Sequence, residues 1–136
     1  MTSERLERGL LDTSVFIATG SRRVLDHSKL PMRSFVSVIT VAELRAGVLA
    51  ARDTETRARR LATLEGISDV EALVIDDRAA AQWARLRFRL FEAGRRVNVN
   101  DLWIASVALA NDLPVVTQDA DYEVLLDLGG PAVVRV

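Results

Sequence analysis

Acidic side chains are the groups in this sequence whose types and spacing can do chemistry. Asp12 follows the apolar pair Leu10-Leu11, Glu43 lies in the first turn of a helical stretch, Asp101 opens another, and Asp119 and Asp121 follow Pro114-Val-Val-Thr117. Each sits just after a strand-like run or at a helix start, which in open α/β sheets is the side where functional crevices form. Four carboxylates at one crevice repel: at ~5 Å and an effective dielectric near 20, each pair costs roughly 3 kcal/mol. Protonation or a divalent cation relieves that repulsion. An all-oxygen donor set suits a hard ion such as Mg²⁺ or Mn²⁺. Such an ion polarises a phosphoryl oxygen and activates water, which makes a phosphodiester the leading substrate.

The rest of the composition narrows the choice. The sequence has no cysteine, which removes disulfides, thiolate zinc sites, iron–sulfur clusters and cysteine nucleophiles. His27 is the only histidine, against a Ser-His-Asp triad or a histidine metal site, and Lys29 is the only lysine beside 17 arginines. No P-loop, G-x-G-x-x-G or G-x-S-x-G can be written. At 136 residues, 49% hydrophobic and 27% charged, residues 1–136 are expected to form one globular domain with a full core. A net charge of −1 makes no global case for nucleic acid, so such a partner needs a local patch. The charged opening Met1–Arg8 lacks the apolar segment of a signal peptide, and no apolar run approaches the ~18 residues of a membrane span. The expectation is a cytoplasmic protein with no membrane partner.

Periodicity supplies the elements that must position the acids. Leu10-Leu11 is a short apolar run closed by a turn at Asp12-Thr13-Ser14, and Phe35–Ile39 alternates as a strand. Thr40–Arg52 reads as a helix with Val41, Leu44 and Val48 on one face, and Thr54–Leu64 as an arginine-rich second. Ala72–Ile75 predicts a strand, Asp77 to about Ala93 a long helix closed by Gly94, and Asp101–Asn111 a buried helix. Pro114–Thr117 predicts a strand, Tyr122–Leu126 a short helix and Ala132–Val134 a last strand. Strands separated by helices indicate an α/β fold with a mainly parallel sheet.

Each acid also has a purely local explanation. Thr40-Val-Ala-Glu43 fits a capping box, Asp101 suits the positive end of a helix, Asp119 or Asp121 can cap the last short helix, and Asp12 can organise its own turn. Asp76-Asp77 has the same setting and reads as a cap alone. Only convergence of the acids distinguishes a site from a set of caps.

Leu10-Leu-Asp12-Thr-Ser, Ser37-Val-Ile-Thr40-Val-Ala-Glu43-Leu-Arg-Ala-Gly47, Asn100-Asp101-Leu-Trp-Ile-Ala105 and Leu113-Pro-Val-Val-Thr117-Gln-Asp119-Ala-Asp121-Tyr122 together resemble the four acidic motifs of PIN domains, with the VapC-type toxin ribonucleases of bacterial toxin–antitoxin pairs the best match. The resemblance covers roughly residues 9 to 127. It implies a PIN-like three-layer α/β/α sandwich with a short, mainly parallel central sheet. It places Asp12, Glu43, Asp101 and Asp119 on the family's catalytic, metal-binding positions. Thr117 falls on a hydroxyl position near the metal, with Thr13, Ser14 and Asp121 as further contributors. It also implies Mg²⁺- or Mn²⁺-dependent cleavage of RNA to a 5′-phosphate and a 3′-hydroxyl, a VapB-type antitoxin and a homodimer. Tyr122 departs from the pattern, standing where Phe is usual.

Arg22, Arg23, Arg95 and Arg96 are candidate RNA contacts, since a guanidinium fork bonds two phosphate oxygens; Arg52, Arg57, Arg59 and Arg60 form a further group. Trp83, Phe88, Phe91 and Trp103 are expected in the core, and His27 in a loop or at a helix end. The apolar positions Val41, Leu44, Val48, Leu61 and Leu64 suit either a core or a groove for an antitoxin helix. A phosphoacceptor receiver domain fails for want of an acidic pair and a late lysine, and a haloacid dehalogenase-like phosphatase because Asp12-Thr-Ser14 is not Asp-x-Asp. A PIN-scaffold binding module without catalysis, or a housekeeping PIN nuclease, are the alternatives to the toxin.

Overall fold

The computed structural model describes residues 5–19, 21 and 23–136. Among these residues five strands, β1 (Arg8–Leu11), β2 (Arg33–Ser37), β3 (Glu71–Leu73), β4 (Val115–Thr117) and β5 (Val133–Arg135), form one sheet in the order β3-β2-β1-β4-β5. All neighbours are parallel. Five helices among the described residues accompany them: α1 (Thr13–Thr19), α2 (Val38–Ala50), α3 (Thr54–Gly66), α4 (Asp77–Ala93) and α5 (Val99–Ala110), with 3-10 turns at His27–Lys29 and Glu123–Leu128.

Successive strand residues point to opposite faces of a sheet, and here both faces are covered. Leu10, Phe35 and Val115 pack with Leu86 and Leu90 of α4 and Leu102, Ile104 and Ala105 of α5. Their neighbours Leu11, Val36 and Val116 pack with Val15 and Phe16 of α1, Leu44 of α2 and Ile67. Parallel strands buried on both sides read as continuous apolar runs, as Leu10-Leu11 of β1 and Val115-Val116 of β4 do. The α/β/α layering expected from the sequence stands.

Topology locates the crevice. The chain leaves β1 for β2 and β3 on one side, then returns through α4 and α5 to lay β4 on the other side of β1. Connections therefore diverge beyond the carboxyl ends of β1 and β4, the switch point at which α/β sheets bind ligands. Asp12 and Thr117 stand there, and the Asp12 amide donates to the Val116 carbonyl at 2.9 Å.

Several elements differ from the sequence reading. Asp12-Thr13-Ser14 is not only a turn: Thr13 begins α1, whose Val15, Phe16 and Ala18 are held helical by the core they fill. The second strand ends at Ser37 rather than Ile39, because the buried Ser37 hydroxyl caps α2, accepting the Ile39 amide at 3.1 Å and the Thr40 amide at 3.3 Å. Edge strand β3 stops at Leu73, leaving Val74 and Ile75 outside the ladder. The last turn is 3-10 and runs Glu123–Leu128. Phe88 and Phe91, expected in the core, are 61% and 76% exposed. The inward side of α4 is Ala79, Trp83, Leu86 and Leu90, spaced by three and four, and positions 88 and 91 turn away from it.

Other readings hold. Asp76 caps α4 by accepting the Ala79 amide at 2.9 Å, and Gly94 closes that helix at φ 66°, where a side chain is strained. The α5 helix is buried around most of its girth, and His27 sits in a 3-10 turn. Trp83 and Trp103, expected in the core, are instead only half-buried: they stack on each other at 5.0 Å, with Trp83 packed against the edge of the core.

Candidate active site

Asp12 is the centre of the site. It is 4% exposed, and both of its carboxylate oxygens are occupied. The Tyr122 hydroxyl donates to Oδ1 at 2.7 Å, and the Thr117 hydroxyl donates to Oδ2 at 3.0 Å. The Ser14 amide approaches Oδ2 at 3.4 Å, so the local turn reading of Asp12 is realised only as a weak third contact. Thr117 has one hydroxyl hydrogen and donates it to Asp12, so Ser14 is the donor in the 3.2 Å contact between the Ser14 and Thr117 hydroxyls. Ser14 in turn accepts the Gln118 amide at 3.0 Å, and Thr117 accepts the Asp119 amide at 3.0 Å. The segment after β4 is thereby stitched to the start of α1 through hydroxyls.

Glu43 stands in the second turn of α2, since that helix begins at Val38. The Thr40–Glu43 capping box does not form. Ser37 holds the cap, and the Thr40 hydroxyl instead meets Thr13 Oγ1 at 2.8 Å, while Thr13 donates to Glu43 Oε1 at 2.8 Å. Ser37→Ala removes the cap that sets this register. It is expected to cost about 1–2 kcal/mol, read as a lower urea midpoint with an unchanged slope.

Asp101 lies in the first turn of α5, capped by Asn98, and its Oδ1 is 3.3 Å from the Tyr122 hydroxyl. Burial, then the charges of Asp12 and Asp121, push the Asp101 carboxyl up to about 6, with Glu43 adding a smaller effect against the opposing hydrogen bond from Tyr122. Burial and the adjacent Asp12 and Asp101 charges push the Tyr122 phenol far up, so it stays protonated. Asp101 thus lies in the field of the Asp12, Asp121 and Glu43 charges, and with Asp12 it shares the Tyr122 hydroxyl. Asp119 is not drawn in: its carboxylate is partly exposed and faces Arg23 at 3.9 Å. Neither Asp119 nor Asp121 caps the last turn, which has no side-chain cap.

The arginines divide by partner. Arg22 lies outside the described residues. Arg95 makes a two-pronged pair with Asp127 at 2.6 and 3.0 Å, tying the end of α4 to the last 3-10 turn. Arg96 is exposed and forms no ion pair among the described residues. Arg57 and Arg60 donate to the Ala51 and Gly47 carbonyls at the end of α2. Beside Thr13 and Glu43, a cleft of about 440 Å³ opens among α1, α2 and α3, lined by Ile17, Leu44, Gly47, Arg59 and Arg60.

Residues 9–125 match the PIN domain family. The chain belongs to that family. This PIN domain is 56% identical over 128 residues to Ribonuclease VapC5 of Mycobacterium tuberculosis, covering 94% of this chain and 95% of the relative. It is 41% identical over 123 residues to Ribonuclease VapC4 of the same organism, covering 90% and 95%. It also resembles a chain in the crystal structure of the toxin–antitoxin complex VapBC-5 from Mycobacterium tuberculosis, with a TM-score of 0.88, 53% identity and coverage of 95% of this chain and 98% of that one. The VapC resemblance read from the four acidic motifs is therefore shown for the PIN domain as a whole. From the sequence Thr40 reads as a cap and the Tyr122 hydroxyl has no part in the site; the one available signal was that Tyr122 stands, between Asp121 and Glu123, where the motif usually has Phe.

Proposed function

We propose that this PIN domain is a divalent-cation-dependent endoribonuclease and the toxin of a VapBC-type pair. The observation that carries the reading is the pair Asp12 and Asp101, two carboxylates on one buried hydroxyl at the sheet's switch point. Glu43 and Asp121 add negative charge there, and among the described residues none of the four is ion-paired. That charge deficit, with oxygen donors alone, fits Mg²⁺ or Mn²⁺. Among the described residues no three acidic side chains converge closely enough to enclose an ion unaided. The fit is therefore to a cation held by Asp12 and Asp101, with Glu43 and Asp121 adjoining and water completing the shell, as hard divalent ions prefer. Asp119 stands at the rim, and Thr117, Thr13 and Ser14 act by orienting the acids.

When bound, the ion supplies Lewis acidity toward a phosphoryl oxygen and a more acidic water. The chain's own residues hold the geometry. Thr117 and Tyr122 fix Asp12, and Thr13, backed by Thr40, fixes one oxygen of Glu43 and leaves the other to accept a proton from water. Arg23 and Arg96, both exposed, are placed for RNA phosphates. The apolar cleft at Ile17 and Leu44 suits an amphipathic antitoxin helix, and exposed Phe88 and Phe91 suit a second copy of the chain. Among the described residues no helix is long and apolar enough to cross a membrane; the proposed place of action is the cytoplasm, where RNA and antitoxin meet.

The deciding experiment is incubation of the purified protein with total cellular RNA in Mg²⁺, Mn²⁺ or EDTA, with 5′ ends mapped by sequencing. Sharp cuts bearing 5′-phosphates that vanish in EDTA are expected. Absence of both cuts and Mn²⁺ binding in folded protein overturns the reading.

A further inference from the structure

Tyr122 is the only tyrosine in the sequence and is 1% exposed. A buried phenol needs a partner for its hydroxyl. This one finds carboxylates only: Asp12 Oδ1 at 2.7 Å and Asp101 Oδ1 at 3.3 Å. The ring itself sits in the apolar cluster with Leu10, Ile104 and Leu125. Asp12 is pinned at both oxygens, by Tyr122 and by Thr117, so its carboxylate cannot rotate without breaking a hydrogen bond. Among the described residues, the Asp101 side chain has no hydrogen-bond partner other than Tyr122. One hydroxyl therefore decides how an acid after β1 and an acid on α5 face each other.

We infer that Tyr122 is a positioning residue for cation binding: its hydroxyl, shared between Asp12 and Asp101, sets the separation and rotation at which the pair meets a divalent ion. The inference rests on the cation-dependent reading above. Removing the hydroxyl frees the Asp101 carboxylate and leaves Asp12 Oδ1 without a donor, while the ring still fills its place in the core. An ion must then order both groups itself, and such outer partners are worth about 10–100-fold in metal affinity.

The test is Mn²⁺ binding to the full chain by calorimetry and electron paramagnetic resonance, for wild type, Tyr122→Phe and Ile67→Ala, with circular dichroism to confirm folding. Tyr122→Leu serves if the phenylalanine variant does not purify folded. Ile67 is buried in the core on the other face of the sheet from the Tyr122 ring, so Ile67→Ala reports general loosening. The expected result is Mn²⁺ binding about 10–100-fold weaker in Tyr122→Phe and within about twofold of wild type in Ile67→Ala. RNA cleavage by Tyr122→Phe recovers once Mn²⁺ saturates it. Unchanged or tighter Mn²⁺ binding in Tyr122→Phe overturns the inference alone, as does equal weakening in Ile67→Ala. Failure of the wild type to bind Mn²⁺ overturns the reading beneath it.

Discussion

Asp101→Asn is expected to abolish RNA cleavage and, in EDTA at neutral pH, to make the protein more stable than wild type. The loss of activity follows from removing one of the two charges proposed to hold the cation. Divalent-ion catalysis is worth several kcal/mol of transition-state stabilisation, so the rate should fall by about a hundredfold or more. The gain in stability follows from the Asp101 carboxyl being pushed up to about 6. Above that pH the folded protein must keep a half-buried negative charge beside Asp12 and Asp121, and asparagine has none to keep. Two effects of opposite sign compete. As the acidic residue in the first turn of α5, Asp101 gains about 0.3–1 kcal/mol from the helix dipole. Burial and like charge oppose it, and the upward shift shows that they win. At 1.36 kcal/mol per unit, and discounted for partial exposure, the net gain in Asp101→Asn is about 1–2 kcal/mol. That is several degrees in melting temperature, about 3–8 °C for a chain of this size. Thermal denaturation in EDTA beside a cleavage assay reads both. A variant that melts lower and cleaves normally per folded molecule would make Asp101 a helix-start residue and nothing more.

What could be read in advance divides along the range of the interactions. The α4 helix was legible to within a residue because its stops are local, Asp76 before it and Gly94 after it. So was the buried character of α5, because an apolar face all round has one meaning. By contrast, α1 was not legible: Val15-Phe16-Ile17 carries strand propensity, and only packing on Leu11, Val36 and Val116 makes it helical. The start of α2 was misplaced for a related reason. Two hydroxyl residues, Ser37 and Thr40, can each cap, and the sequence does not say which is taken by a tertiary partner.

At the site, the identity of the acids was legible as a set, whereas their mutual placement was not. Asp119 and Asp121 differ by two positions, and the turn leading into the last 3-10 segment directs one toward Arg23 and lets the other act on Asp101. Arg95 and Arg96 are equivalent on paper, yet a carboxylate 32 residues away occupies the first. The shared hydroxyl of Tyr122 needs three segments brought together, from β1, α5 and the turn after β4, and no local pattern announces such a meeting.

Mn²⁺ is expected to stabilise the wild-type protein strongly at pH 7.5 and weakly at pH 5. The cation-free protein sets the baseline. The Asp101 carboxyl titrates near 6 when folded and near 3.8 when unfolded. Between those values the folded state holds a proton that the unfolded state has released. The stability from this group is thus complete below the ordinary carboxyl value and is lost as pH rises through about 6. Cation binding runs the other way, because the ion must displace that proton. At pH 5, one unit below the folded value, the apparent affinity falls about tenfold. With Mn²⁺ at a hundred times its dissociation constant at pH 7.5, the stabilisation is about 2.7 kcal/mol, dropping to about 1.4 kcal/mol at pH 5. Melting curves with and without Mn²⁺ at the two pH values measure the difference, and Asp101→Asn should remove most of it. Screening is the competing cause, since any salt softens repulsion among exposed charges. Sodium chloride at matched ionic strength separates the two. A shift that sodium reproduces, or that is as large at pH 5 as at pH 7.5, would mean that the acids repel one another without forming a site for an ion.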